Sequence, residues 1–350
     1  VKRRHLLKRV LQGSSGVIGA SLLASCGEQA LDGLFSLDLG NPSERLPDHL
    51  ITSLSEFYVQ SYALPANVDK EQWRLQIVGE VETPLTLAYA DIAAAPQEFF
   101  HLTMECIGNP AGGNLIGNAE WTGTRLLPFL QQAGVKPEAV DFVLHGADYY
   151  ETTLPVAEVM RSQVRLVHQM NRAPLTKEHG YPVRLIVPGY FGQKQPKWII
   201  KIEAIAKSKK GYWERQGWSN TAQIPTHALI RQIEESRVWN KRSQITIPKM
   251  GATGWANGIL IAGVAIDHAN LMQPIQVSID EGKTWQTAEQ NHPASPHEWT
   301  LWRYLWRPTQ LGRYTLLARA QTQAEIQPLD DNDSKDGSAG VLRIQVDLEQ

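Results

Sequence analysis

Residues 103–113 read Thr-Met-Glu-Cys-Ile-Gly-Asn-Pro-Ala-Gly-Gly, and the fold turns on how this stretch is understood. The run before it, residues 99–104, has the apolar character of a strand, and Gly108, Pro110, Gly112 and Gly113 mark a loop after the cysteine. A strand end that opens into such a loop is where a rigid scaffold presents a reactive side chain, here Cys106. Taken by itself, a lone cysteine is more often a small buried hydrophobe. No CxxC, CxxCH or HExxH motif accompanies it, so a cysteine zinc site, c-type haem and zinc-peptidase chemistry have no support. A Cys/His nucleophile with His145, His168 or His179 stays open, although no family spacing stands behind it.

Working outward, residues 57–206 mix strand and helix periods. Trp73, Leu75 and Ile77 alternate as a strand does, as do Val183, Leu185 and Val187, and Trp198, Ile200 and Ile202. Residues 124–132 carry Leu126, Leu127 and Leu130 at helical spacing, with Gly134 as the expected C-cap. Residues 207–225 are polar and predict a crossing segment. Beyond about Leu229 the helical period is lost. Residues 258–266 form one apolar run of strand length, and Ile275, Val277 and Ile279 lead into a turn at Asp280-Glu281-Gly282 and a hairpin. Residues 299–306, 314–318 and 342–348 continue a strand-only series, which predicts a sandwich. Residues 330–340 are a polar loop.

Composition limits the choices. At 350 residues, with 42% hydrophobic and 20% charged, the chain suits two packed domains and neither disorder nor a membrane bundle. Residues 1–25 hold Lys2, Arg3, Arg4, Lys8 and Arg9 and no acid. Without them, 29 basic groups face 36 acidic ones, a net of −7, so nucleic acid is not an expected partner. Residues 10–24 are apolar but broken by Gly and Ser, too short for a bilayer of about 30 Å. The Arg3-Arg4 pair resembles a twin-arginine export signal, and Leu23-Ala24-Ser25-Cys26 resembles a lipobox. The expectation is an export signal at 1–25, lipidation at Cys26, a tether at 26–46 and a periplasmic protein anchored to a membrane. Lipidation leaves Cys106 as the sole remaining thiol, and such a thiol in an oxidising compartment suits a metal ligand or a nucleophile.

Residues 56–204 resemble, motif by motif, the molybdopterin domain of the sulfite oxidase and plant nitrate reductase family. The carriers are Phe57-Tyr58-Val59 with Leu64-Pro65 and Val68-Asp69; Glu105-Cys106-Ile107-Gly108-Asn109; Trp121-Thr122-Gly123; Met170-Asn171 with Pro174-Leu175; His179-Gly180-Tyr181-Pro182-Val183-Arg184; and Val187-Pro188-Gly189 with Lys197-Trp198-Ile199. Gly282-Lys283-Thr284-Trp285 and Trp299-Thr300-Leu301-Trp302 extend the likeness to the C-terminal part. The resemblance implies an α+β molybdopterin-binding domain at 47–215 followed by an all-β immunoglobulin-like sandwich at 216–350, of the type that mediates dimerisation. It implies a molybdenum-molybdopterin cofactor with Cys106 as metal ligand, a soft thiolate being suited to such a centre. Tyr58, Val59, Tyr62, Asp148, His179, Arg184, Gln195 and Lys197 are the implied cofactor contacts, and Trp121 and Gln60 the implied neighbours of the substrate.

The same resemblance implies two-electron oxygen-atom transfer on a small molecule. No haem motif occurs, so an external electron acceptor, a cytochrome or a quinone-linked subunit, is expected. Departures bear on the substrate. Where sulfite-oxidising members of the family gather arginines, this chain has Gln60, Pro110-Ala111 and Thr300, and Trp218 stands where a tyrosine is usual. A substrate other than sulfite is therefore expected. Sulfite oxidation by a rearranged pocket, with Arg125, Arg172 or Arg215 restoring the charge, remains an alternative. So do a periplasmic sulfoxide reductase and a cofactor-free lipoprotein binding module.

Overall fold

The computed structural model describes residues 45–161, 163–233, 236–237, 244–248, 258–268, 272–293, 295–330 and 335–349. Arg3, Arg4, Cys26 and the tether as far as residue 44 lie outside the described residues, as does part of the 330–340 loop.

Sheet dominates, in four layers. The first has the order β2 (Leu85–Ala88), β1 (Arg74–Gly79), β10 (Ile199–Ile205), β5 (Asp141–Gly146), β6 (Glu151–Pro155). The second runs β3 (Glu98–Glu105), β4 (Ile116–Arg125), β7 (Arg165–Met170), β8 (Ala173–Pro174), with β9 (Arg184–Ile186) also on β7. Helices in this half are short: Tyr89–Ala94, Leu127–Ala133, Val156–Arg161 and Tyr212–Arg215. The helix expected at 124–132 begins later because residues up to Arg125 extend β4, and it ends on Gly134 in the left-handed region, as the sequence predicts. The alternation expected through Trp198, Ile200 and Ile202 is broken. A bulge between Ile199 and Lys201 shifts the register, so Ile199 and Ile202 are buried while Ile200 is half-exposed.

The C-terminal half has two sheets. One runs β12 (Ser236–Arg237), β11 (His227–Ile233), β14 (Ile259–Ile266), β18 (Thr300–Trp306), β17 (Glu289–Gln290). The other runs β13 (Gln244–Pro248), β20 (Ile344–Glu349), β19 (Gly312–Arg319), β15 (Gln276–Ser278), β16 (Gln286–Thr287). They share one core, in which Ile230, Ile259, Ile261 and Trp302 meet Val277, Leu316, Ile344 and Val346. The 280–282 turn joins β15 to β16, with Glu281 and Gly282 both at positive φ (63° and 84°), the geometry a tight hairpin requires.

β14 explains its own uninterrupted apolar sequence. Ile259, Ile261 and Ala265 face the sandwich core, whereas Leu260, Ala262, Val264 and Ile266 face a second cluster with Ile107, Ile116, Phe191 and Trp299. Both faces of the strand are buried, so neither can be polar. That second cluster joins the loop after Cys106 to the sandwich.

A buried ion pair fixes the crossing segment. The Lys194 ammonium meets the Glu214 carboxylate, and both side chains are inaccessible to water. Thr152 Oγ1 donates to the same carboxylate at 2.8 Å, and Lys194 also donates to Thr153 O at 3.0 Å. Removing one partner strands a charge in the interior. Lys194→Met is expected to cost about 3–5 kcal/mol of unfolding free energy by denaturant titration; a loss within about 0.5 kcal/mol would show that the pair carries no weight.

Candidate active site

Cys106 follows the last residue of β3 and starts a turn. Its N–H donates to Leu115 O (2.9 Å), and its carbonyl accepts from Asn109 N–H (2.9 Å). Asn109 closes the loop with its side chain, donating to Glu105 Oε1 at 2.7 Å and accepting from Leu115 N–H at 2.9 Å. Gly112 sits at φ +72°, where a side chain would be strained and would strike Leu342 near the start of β20. Cys106 is half-buried and outside any disulfide. Gly108 lies between the Trp218 ring and the sulfur: a methyl group on it would stand 3.5 Å from that ring and 3.8 Å from the Cys106 sulfur.

Glu105 faces the opposite way, inward. Its Oε2 lies 3.2 Å from His227 Nε2 at the start of β11, and both residues are buried. Burial pulls the His227 pKa down, but the charge of Glu105 and hydrogen bonds to Glu105 and the Pro225 carbonyl outweigh it and leave it raised. Arg231, further along β11, donates to the Gly113 carbonyl. The loop that carries Cys106 is thus held by residues more than a hundred positions away.

Behind Cys106 lies Tyr58. A methyl group on Gly192 would stand 3.2 Å from the Tyr58 hydroxyl and 3.5 Å from the Glu105 carbonyl, which places all three together. Burial, then the adjacent Cys106, raises the Tyr58 phenol well above its ordinary pKa, so it stays protonated. Phe57 stacks on Tyr58 and meets Trp121 and His179 edge-on.

Arg184 is the centre of charge. It is buried, and its guanidinium donates to His179 O (3.3 Å) and Gln195 O (3.4 Å), approaches Met104 Sδ (3.3 Å) and lies over the Trp121 ring. Its Nε has no hydrogen-bond acceptor, and among the described residues no carboxylate pairs with it. Burial lowers its pKa to about 10, which still leaves it charged at neutral pH. His179, pushed to about 4 by burial and then by Arg184 and Lys197, is neutral. Lys197 donates to Ser61 Oγ (2.6 Å) and Glu178 O (2.8 Å), and burial and Arg184 lower it to about 7. Asp148 follows the end of β5, and its carboxyl is raised by burial and accepts from Tyr150 N–H at 3.2 Å. A buried guanidinium is normally paired with an acid. Among the described residues Arg184 has no such acid, while Lys197 feels the charges of Asp148 and Glu178; the unpaired guanidinium is the feature that fits an anionic ligand.

The structure brings Cys106, Tyr58, His179, Arg184 and Lys197 together. Tyr62 lies to one side, its ring 4.5 Å from Tyr212 and 6.0 Å from Tyr150. Val59 and Gln60 are exposed on the same segment. Two expected contacts have their side chains engaged within the protein. Gln195 is buried, its amide donating to Tyr190 O (2.6 Å) and accepting from Val187 N–H (3.2 Å). Trp121 is fully enclosed, its indole N–H donating to Leu102 O at 3.2 Å. Arg125, Arg172 and Arg215 pair with Glu98, Glu120 and Glu151. His227, which faces Glu105, and Arg231, which holds the Gly113 carbonyl, were not foreseen, because nothing in the spacing marks them.

A model of the oxidoreductase molybdopterin binding domain matches residues 61–213. The chain is 30% identical over 176 residues to the uncharacterised oxidoreductase YuiH of Bacillus subtilis, covering 50% of this chain and 87% of that protein. It belongs to the sulfite oxidase family of molybdopterin-binding oxidoreductases. Mitochondrial sulfite oxidase of Rattus norvegicus is 28% identical over 297 residues, 75% of this chain, and the chain spans about half (54%) of that relative's length. The crystal structure of the sulfane dehydrogenase SoxCD from Paracoccus pantotrophus shares the fold, with a TM-score of 0.66, 21% identity and coverage of 95% of this chain and 93% of that one.

The cationic cluster makes a pH dependence. An ordinary lysine titrates near 10.5 and Lys197 near 7 in the folded chain. Between those values the unfolded chain binds a proton that the folded chain lacks, so stability attributable to Lys197 rises with pH across the window. In the cofactor-free chain, Lys197→Met is expected to remove a slope of up to about 1.4 kcal/mol per pH unit between pH 7 and 10. Denaturant titrations at several pH values measure it, and parallel curves for parent and variant would contradict it.

Proposed function

We propose that this protein is a molybdenum-pterin oxidoreductase that transfers an oxygen atom to or from a small molecule, with Cys106 as the protein's ligand to the metal. The observation that carries the reading is the buried Arg184 beside Lys197, a guanidinium with no carboxylate partner among the described residues, next to a half-buried thiol. When bound, the molybdenum-molybdopterin group supplies the two-electron chemistry, and the protein supplies binding, orientation and field. Arg184 and Lys197 would hold its phosphate with charge-assisted hydrogen bonds. Neutral His179 and the carboxyl of Asp148 would meet its polar ring atoms. Tyr58, kept as a phenol, has a proton to donate beside Cys106. Soft thiolate is the side chain suited to this metal.

The substrate is read as something other than sulfite. The positions at which arginine was expected hold Gln60, Pro110-Ala111 and Thr300, and the arginines weighed as substitutes are engaged with carboxylates. Each missing charge-assisted bond to an oxyanion weakens binding by about 1.5–3 kcal/mol. Trp218, on the other side of Gly108 from the sulfur, adds apolar surface near the loop, favouring a neutral organic sulfur or nitrogen compound. We read the C-terminal two-sheet layer as the family's immunoglobulin-like domain, a separate cytochrome or quinone-linked protein as electron acceptor, and the leader as a twin-arginine signal ending in lipidation at Cys26.

Two measurements test this reading. In Arg184→Met, molybdenum and pterin content of the purified full chain is expected to fall about tenfold or more, while the cofactor-free chain stays within about 1 kcal/mol of the parent or gains stability, since the cation it loses had no buried partner. Full cofactor content in that variant removes Arg184 from the site. With sulfite as substrate, the loss of two arginine contacts is expected to weaken binding about a hundredfold or more relative to a site that has them. A micromolar Michaelis constant with rapid turnover would overturn the substrate reading.

A further inference from the structure

Away from Cys106, three segments distant in sequence converge on one carboxylate. Glu298, in the turn before β18, is buried, with its side chain 1% exposed. Among the described residues it pairs with no lysine or arginine. Its Oε1 accepts from Asn118 Nδ2 at 2.8 Å, and its Oε2 faces two imidazoles: His49 Nδ1 at 2.9 Å and His101 Nδ1 at 3.4 Å. The three side chains bring one donor atom each to within 4.8 Å of one another.

We propose that His49, His101 and Glu298 form a binding site for a divalent transition ion of the zinc class, separate from the site at Cys106 and independent of how that site is read. Two imidazole nitrogens and one carboxylate oxygen are the donor set of a three-ligand zinc site with an open fourth position. Two nitrogen donors argue against calcium and magnesium, which take oxygen. Bonds of about 2.0–2.1 Å in a tetrahedron put ligand atoms about 3.3 Å apart. The His101 to Glu298 distance already meets that, the His49 to Glu298 distance needs to open by about 0.4 Å, and the two imidazole nitrogens, within 4.8 Å, need to settle to the same spacing. His49 is exposed on the entering segment and has that freedom. Its exposure also turns the fourth position to water.

The surroundings supply a second, separate observation. A metal-bound histidine characteristically gives its other ring N–H to a carboxylate, which fixes the tautomer and aims the lone pair. His101 and Glu120 are directly opposed on β3 and β4, and His101 Nε2 faces Glu120 Oε2 at 3.7 Å. Glu120 is itself held by Arg172 at 2.9 and 3.2 Å. The amide of Asn118 occupies Oε1 of Glu298, from which His49 Nδ1 also stands 3.1 Å, and Oε2, which faces both imidazoles, is the one presented to the ion. A cation there would neutralise a buried carboxylate and tie the segment at His49 to both β3 and the turn before β18.

Equilibrium dialysis of the purified full chain against zinc chloride at pH 7.5, with metal quantified per chain, tests the site. One zinc per chain beyond that in His49→Ala is expected, and Glu120→Gln should weaken binding about 10–100-fold. His49 is a surface residue, so its variant separates loss of ligand from loss of fold, and Glu298→Gln is the buried counterpart. Cobalt in place of zinc should show nitrogen and oxygen coordination without thiolate charge-transfer absorption, which distinguishes the site from binding at Cys106. No zinc uptake, or equal uptake by the parent and His49→Ala, overturns the proposal and leaves a hydrogen-bonded carboxylate and imidazoles only.

Discussion

A guanidinium buried without a carboxylate partner among the described residues is the constraint on which the site is organised. Arg184 has backbone carbonyls, a thioether and an aromatic face around it, yet its Nε lacks an acceptor. Desolvation opposes such a charge, and burial, followed by the field of Arg184, depresses His179 and Lys197. The proposed function takes this arrangement as the seat of an anion that arrives from outside the chain. The family to which the chain belongs, with its molybdopterin-binding domain, gives that anion an identity consistent with the charge.

The second constraint is positional. The Cys106 loop is short and rich in glycine, and its shape is imposed from the C-terminal half. His227 faces Glu105, Arg231 holds the Gly113 carbonyl, and Leu342 packs where Gly112 has no side chain. Thr103, three residues before the cysteine, is gripped by the turn before β18: its N–H donates to His297 O and its hydroxyl accepts from Trp299 N–H. The apolar β14 buries one face against its own sandwich and the other against Ile107 and Ile116. The sandwich is therefore part of the mould for the site, and changes in it should reach Cys106 through these contacts.

Local chemistry was legible in the sequence. Gly134 as a helix stop, the 280–282 hairpin and the β14 run each arise from a few adjacent residues. The grouping of Cys106 with Tyr58, His179, Arg184 and Lys197 was reachable only through the ordered motifs, since no spacing rule joins them. Partnerships across long separations escaped, such as Glu105 with His227 and Glu298 with His49 and His101. The bulge in β10 escaped because both registers place apolar residues inward. Gln195 and Trp121, which the resemblance implies beside cofactor and substrate, carry side chains that hydrogen-bond to the protein backbone, a pairing that sequence does not show.

The central claim is that a cysteine thiolate and an anionic pterin share one metal in this pocket. X-ray absorption at the molybdenum edge of the purified full chain tests it most directly, by counting sulfur neighbours in the parent and in Cys106→Ser. The account predicts one sulfur neighbour fewer in the variant, with molybdenum still bound through Arg184 and Lys197. An unchanged sulfur count, or a parent chain that carries no molybdenum when produced with the cofactor available, would contradict it.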